Sequence, residues 1–184
     1  MITVVSVAIV ASLLDSTPRR CGATRQRQSD TLVAMEIPAA ADPALLAVDH
    51  VGIAVPDLEA AIAFHVEVLG LELRHREDNP EQGVAEAMLA PKGTPGGAQI
   101  QLLAPLSPES PIARFLDRSG PGLQQLAYRV ADVDACANAL RGKGLRLLYD
   151  AARRGTSGSM INFIHPRDTG GVLIELVQPP SDPD

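Results

Sequence analysis

The stretch at 49–73, DHVGIAVPDLEAAIAFHVEVLGLEL, decides the fold, because much of it is written a second time further along the chain. Shifted by 75 positions, HVGIAVPDLEAA (50–61) lies over QLAYRVADVDAC (125–136), matching Val55 with Val130, Asp57 with Asp132 and Ala60 with Ala135. After a one-residue gap, GLEL (70–73) lies over GLRL (144–147). Farther on, APKGTPGGAQIQLLAP (90–105) lies over HPRDTGGVLIELVQP (165–179), which sets Pro91 on Pro166, Gly96-Gly97 on Gly170-Gly171 and Gln101 on Glu175. Similarity sustained at nearly one offset, 75 or 74 residues, is the mark of a duplicated module.

Each copy has the same internal order. An alternating run (AVDHVGIAV, LQQLAYRV) predicts a half-buried strand. An Asp follows, Asp57 or Asp132, whose carboxylate can accept the unpaired amides of a first helical turn. The helices predicted next, over 58–69 and 133–142, are rich in Ala and Leu and end at glycines. Three short strands complete each copy, at 71–77, 82–90 and 98–104, then at 145–149, 159–164 and 171–177. The fold class is therefore α+β: two tandem βαβββ modules pairing into an open eight-stranded, barrel-like sheet around a metal site. The modules span 46–107 and 122–180. A linker at 108–121 carries a short helix at 110–118, and 181–184 form a tail.

Bulk composition removes several functions. The chain has 184 residues, net charge −6 and 3% aromatics with no Trp, which argues against a basic groove or a stacking platform for nucleic acid. Its 46% hydrophobic content supports a packed core. Two cysteines, Cys21 and Cys136, make neither a disulfide framework nor a zinc knuckle, which fits a reducing, cytoplasmic setting. The apolar run MITVVSVAIVASLL is too short to span a bilayer and lacks a positive n-region, so no membrane partner is expected. Residues 1–45 are set outside the fold, as a disordered extension, a degenerate targeting peptide, or a mis-assigned start with Met35 as the working start.

Four polar residues fall inside otherwise apolar strands at repeat-related places. His50 and Gln125 share a place on the first strand of each module, and Gln101 and Glu175 share a place on the last. Taken singly, His50 reads as a hydrogen-bonded core residue, and the glutamines and Glu175 as solvent-face residues. Taken together, pairing of the modules gathers one imidazole, one carboxylate and two amides, a nitrogen/oxygen set suited to Co²⁺, Mn²⁺, Mg²⁺, Ni²⁺ or Zn²⁺. A lone carboxylate within GVLIELV needs such a partner, because an unpaired buried charge is very costly.

The segments DHVGIAVPDLEAAIAF, EDNPEQGVAEAMLAP, QIQLLAPL, LAYRVADVDA and GTSGSMINFIHPRDTGGVLIELVQ resemble the methylmalonyl-CoA epimerase family of the vicinal-oxygen-chelate (glyoxalase/bleomycin-resistance/dioxygenase) superfamily. The likeness runs over about 46–180, and its most specific pieces are NPEQGVAEAM, RLLYD and INFIHP. It implies metal ligands at His50, Gln101 and Glu175, with Gln125 where the family usually has the second histidine of GLHH. Gln124 takes the first histidine's place and, by strand alternation, is expected on the opposite face. The resemblance further implies a divalent metal, Co²⁺ favoured, an acyl-CoA substrate, a homodimer, and Glu86 and Glu175 as the proton-transfer pair. Arg153 and Arg154 are weaker candidates for the CoA phosphates. His65, His75 and His165 are read as structural or surface residues. Two other functions stay open on this scaffold: a glyoxalase-like lyase or isomerase, and a non-catalytic ligand-binding protein of the bleomycin-resistance type.

Overall fold

The computed structural model describes residues 42–80 and 82–180, so the expectations for 1–41 and for the tail 181–184 lie outside the described residues. The first half runs β1 (Leu45–Ala54), α1 (Leu58–Ala63), β2 (Glu72–Asn79), β3 (Val84–Ala90) and β4 (Gln99–Pro105). After α2 (Pro111–Ser119), the second half runs β5 (Gly122–Val130), α3 (Val133–Gly142), β6 (Arg153–Arg154), β7 (Met160–Ile164) and β8 (Leu173–Gln178). This is βαβββ twice.

The helix starts follow from their caps. Asp57 accepts from the Ala60 amide at 3.0 Å and Asp132 from the Ala135 amide at 2.9 Å, the same device at the same repeat position. Ser110 caps α2 in the same way, with Pro111 in its first turn. The first helix is α-helical only to Ala63 and continues as a π-type stretch, Phe64–Val68, before Gly70 turns the chain at φ +74°.

The eight strands form one open sheet in the order β2-β3-β4-β1-β5-β8-β7-β6. The order is symmetric about its middle. β1 and β5 meet antiparallel there, β4 lies parallel to β1, and β8 lies parallel to β5. Period-two alternation then sorts the side chains. One face of the first half buries Leu58 and Ile62 of α1 with Ala85, Ala87, Leu89 and Leu102. The second half does the same with Val133, Ala137 and Leu140 of α3 against Ile164 and Leu176. Leu102 and Leu176 are fully buried, each worth about 1.5–3 kcal/mol of transfer free energy. Their strand neighbours Gln101 and Glu175 necessarily project to the other face.

One expected strand is corrected. The segment 145–149 forms a single bridge, Leu147 to Ile164, and the second strand of this module is the two-residue β6 instead. Two ladder bonds remain, from the Leu148 amide to the Phe163 carbonyl and from the His165 amide to the Arg146 carbonyl, and beyond them side chains take the backbone groups. The fully buried Asn162 accepts from the Tyr149 amide at 3.2 Å and donates to the Tyr149 carbonyl at 3.0 Å. Asp168 takes the Arg146 amide at 2.8 Å along with its guanidinium.

Candidate active site

A cavity of about 820 Å³ opens on the face away from α1 and α3, and its walls include Glu86, Gln101, Gln125, Ile161 and Glu175. His50, Glu86, Gln101, Gln125 and Glu175 are all buried, from five different strands. Three polar atoms converge on one point. The Gln125 Nε2 lies 2.5 Å from Glu175 Oε2, 3.1 Å from Gln101 Oε1 and 3.4 Å from His50 Nε2. His50 Nε2 and Glu175 Oε2 are themselves 3.1 Å apart. The side chains predicted to gather do so, across the seam between the two halves.

The same cluster tests whether a divalent cation fits. An amide NH₂ sits among a carboxylate oxygen, an amide oxygen and an imidazole nitrogen, which is the donor set a borderline-to-hard cation takes. A half-turn of the Gln125 amide replaces that NH₂ with a carbonyl oxygen and makes the fourth donor. Among the described residues no group of three or more His, Cys, Asp and Glu gathers to hold a metal, so the amides are essential to the set. The residues fit.

Around this centre the protonation states are pushed apart. Burial first, and then the carboxylates of Glu77 and Glu175, raise the Glu86 carboxyl to about 7 against the pull of a hydrogen bond from the Thr156 hydroxyl. Burial lowers His50, but hydrogen bonds and charge from Asp49 and Glu175 outweigh it and raise the imidazole to about 9. Glu86 is tied to the cluster because Gln101 Nε2 donates to its Oε2 at 2.6 Å. Two amides, Gln101 and Gln125, thus link one carboxylate to the other.

Two features were invisible to alternation. Asp49 and Gln124 each stand as the extra residue of a β-bulge, one place before His50 and Gln125. In the β1/β5 ladder Val48 pairs with Tyr128 and His50 with Ala127, so Asp49 is skipped. Gly52 pairs with Gln125 and Ile53 with Leu123, so Gln124 is skipped. The two bulges are repeat-equivalent. The expectation that Gln124 points away from Gln125 is therefore wrong: both line the cavity, because the bulge cancels the alternation. Asp49 likewise turns toward His50, and its oxygens bind His50 Nδ1 at 2.9 Å and Arg129 Nε at 2.8 Å. Asp49, Arg129 and Thr156 were missed in the sequence. A carboxylate beside a strand histidine was the available signal for the first.

Arg153 and Arg154 lie exposed on the cavity wall, with the Arg153 guanidinium 3.9 Å from the Tyr149 ring centre. The Arg154 carbonyl accepts from Gln82 Nε2 at 3.2 Å. The other histidines stand outside the cluster. His65 bonds the Ala61 carbonyl, His75 bonds Glu77, and His165 accepts from the Arg167 amide.

Comparison with known proteins gives a consistent answer. The profile of the Glyoxalase/Bleomycin resistance protein/Dioxygenase superfamily matches residues 49–163. Human mitochondrial methylmalonyl-CoA epimerase is 37% identical over 131 residues, covering 71% of this chain and 72% of the human one. The crystal structure of methylmalonyl-CoA epimerase from Mycobacterium tuberculosis superposes with a TM-score of 0.71 at 57% identity, covering 74% of this chain and 90% of that one. A variant of the Streptomyces coelicolor methylmalonyl-CoA epimerase in complex with 2-nitronate-propionyl-CoA superposes with a TM-score of 0.72 at 44% identity, covering 75% and 100%.

Proposed function

We propose, from the premise that this chain belongs to the methylmalonyl-CoA epimerases of the glyoxalase/bleomycin resistance protein/dioxygenase superfamily, that it interconverts (R)- and (S)-methylmalonyl-CoA by moving a proton at C2 between two carboxylates. One observation carries the residue assignment. Glu86 from the first half and Glu175 from the second face one cavity and are joined through Gln101 and Gln125.

The chemistry asks for that arrangement. C2 lies between a carboxylate and a thioester carbonyl, and removing its proton leaves the electron pair delocalised onto the thioester oxygen as an enolate. His50, Gln101, Gln125 and Glu175 would hold a divalent cation, for which Co²⁺ is the proposed ion, and when bound it would supply positive charge where that oxyanion develops. Glu86 and Glu175 then act from opposite sides of C2. One takes the proton as a carboxylate, and the other, protonated, returns one to the opposite face. After each inversion the two have exchanged protonation states. A Glu86 pKa near 7 suits it to either role at neutral pH, since both forms are populated there. Thr156 holds its Oε1 and Gln101 its Oε2, which fixes the carboxyl plane.

Arg153 and Arg154 are the proposed contacts for the CoA phosphates, supported by their place on the cavity wall. A homodimer and a cytoplasmic setting complete the reading. Among the described residues no helix is long and apolar enough to cross a membrane.

The test is isotopic. The full chain, stripped and reloaded with Co²⁺, is incubated with one methylmalonyl-CoA epimer in deuterated water. Deuterium enters C2 as the other epimer accumulates. A protein that binds the thioester and exchanges nothing with any divalent ion contradicts the assignment.

A further inference from the structure

A histidine that offers one ring nitrogen to a cation must keep its proton on the other, and something has to decide which. Asp49 stands where that decision is made. A regular strand would send it to the opposite face from His50, but the β1 bulge brings it round. It is 7% exposed, and its two oxygens have one partner each: Oδ1 faces His50 Nδ1 at 2.9 Å and Oδ2 accepts from Arg129 Nε at 2.8 Å. A carboxylate can only accept, so Nδ1 carries hydrogen toward Asp49; Nε2 faces Glu175 Oε2 and the Gln125 amide, donates to Glu175 while it is protonated, and is the nitrogen that turns to a cation when that proton leaves.

We propose that Asp49, braced by Arg129, is a positioning residue that fixes the tautomer and ring plane of His50 so that Nε2 presents its lone pair to the cation site. The inference rests on the reading of His50 as a ligand. Histidine ligands are commonly oriented in this way by a carboxylate, and losing that partner lowers metal affinity about 10–100-fold. The second half supplies an internal control. Its ligand position holds Gln125, an amide, which has no tautomer to fix and turns its oxygen to the cation by rotation of the amide alone. Its bulge residue accordingly is Gln124, whose Oε1 is buried and makes no hydrogen bond. The brace is present only where an imidazole needs one.

The test uses the full chain, Zn²⁺ as the probe, a chelating indicator in competition, and ¹⁵N NMR of the histidine rings. In the wild type, Zn²⁺-loaded His50 shows an Nδ1–H resonance and a coordinated Nε2. Asp49→Ala is expected to lose that resonance and to bind Zn²⁺ about 10–100-fold more weakly. Its epimerase rate falls at limiting cation and returns at saturating cation, a recovery that a general loss of structure does not allow. Asp49→Asn keeps the shape and one acceptor oxygen, so it is expected to retain the resonance with a smaller loss of affinity, and it serves if Asp49→Ala does not fold. Wild-type affinity and ring spectra in every variant that folds overturn the proposal. So does a wild type coordinated through Nδ1, or one with no Zn²⁺ at His50. A wild type that binds Zn²⁺ through Nε2 yet washes no deuterium into methylmalonyl-CoA counts against the epimerase reading alone and leaves this comparison standing.

Discussion

The two halves of the sheet match strand for strand, yet they place different chemistry at equivalent points. In the first, the bulge residue Asp49 has a partner for each oxygen; in the second, Gln124 has a buried carbonyl oxygen with none. In the first, β3 carries Glu86 opposite Leu103. In the second, β7 carries Ile161 opposite Val177, at the corresponding place on the same cavity. Ala127 faces His50 across the central ladder, and Gly52 faces Gln125. Duplication repeats the backbone, bulges included, and so brings two sets of side chains to one seam. Substitution on that backbone leaves the His50 imidazole, the Glu86 carboxyl and the Gln101 amide in one half, and the Gln125 amide and the Glu175 carboxyl in the other.

Abolishing the Glu86/Ile161 contrast is expected to have the largest effect. Glu86→Gln makes both positions unable to transfer a proton, and turnover falls about 10²–10⁴-fold while Zn²⁺ affinity stays within about twofold. Steady-state rates and chelator competition on the same preparation check this, and substantial residual activity removes Glu86 from the proton-transfer pair. Next come the two cores, where the halves should behave alike. Leu102→Ala and Leu176→Ala, at equivalent fully buried positions, are each expected to cost about 2–5 kcal/mol in denaturant unfolding. Strongly unequal values would mean that the halves are not comparable supports.

Gly52→Ala makes the second half resemble the first at the residue facing the ligand. An added Cβ would stand 2.5 Å from Gln125 Cγ and 3.3 Å from Leu103 Cδ1, so Gln125 must shift. The expected cost is about 1–3 kcal/mol, with weaker cation binding, read by thermal unfolding and competition. Gln125→His moves the other way and gives both halves an imidazole. Zn²⁺ should bind about tenfold tighter, since imidazole is the better ligand for it. Unchanged affinity would take position 125 out of the coordination sphere. The smallest effect is expected from Gln124→Leu. Removing an unpartnered buried carbonyl should leave stability unchanged or raise it by about 1 kcal/mol, and a clear loss in a melting curve would mean that this oxygen is satisfied in solution.

Much of this was legible in the sequence because it depends on period and repetition. The repeat, at an offset of 75 that falls to 74 at the last strands, located both modules, both Asp caps and the four convergent residues, since matched positions on paired strands must meet if the halves pair. What escaped depends on departures from period. A bulge shifts one residue to the other face without any change in the hydrophobic pattern. Alternation therefore misdirected Gln124 and hid Asp49. The strand expected at 145–149 was cut to one bridge for another reason: RLLYD has strand composition, but Asn162 and Asp168, distant in sequence, take the Tyr149 and Arg146 backbone groups that would extend its ladder. Thr156 sits in a loop of glycines and small polar residues, where nothing local indicates that its hydroxyl reaches Glu86.

The central claim is that atoms from both halves close on one divalent cation. Anomalous diffraction from crystals of the Co²⁺-loaded protein tests it most directly. The account predicts a single strong peak bound by His50 Nε2, Gln101, Gln125 and Glu175. A map with no peak among those four side chains, at full loading, would contradict it.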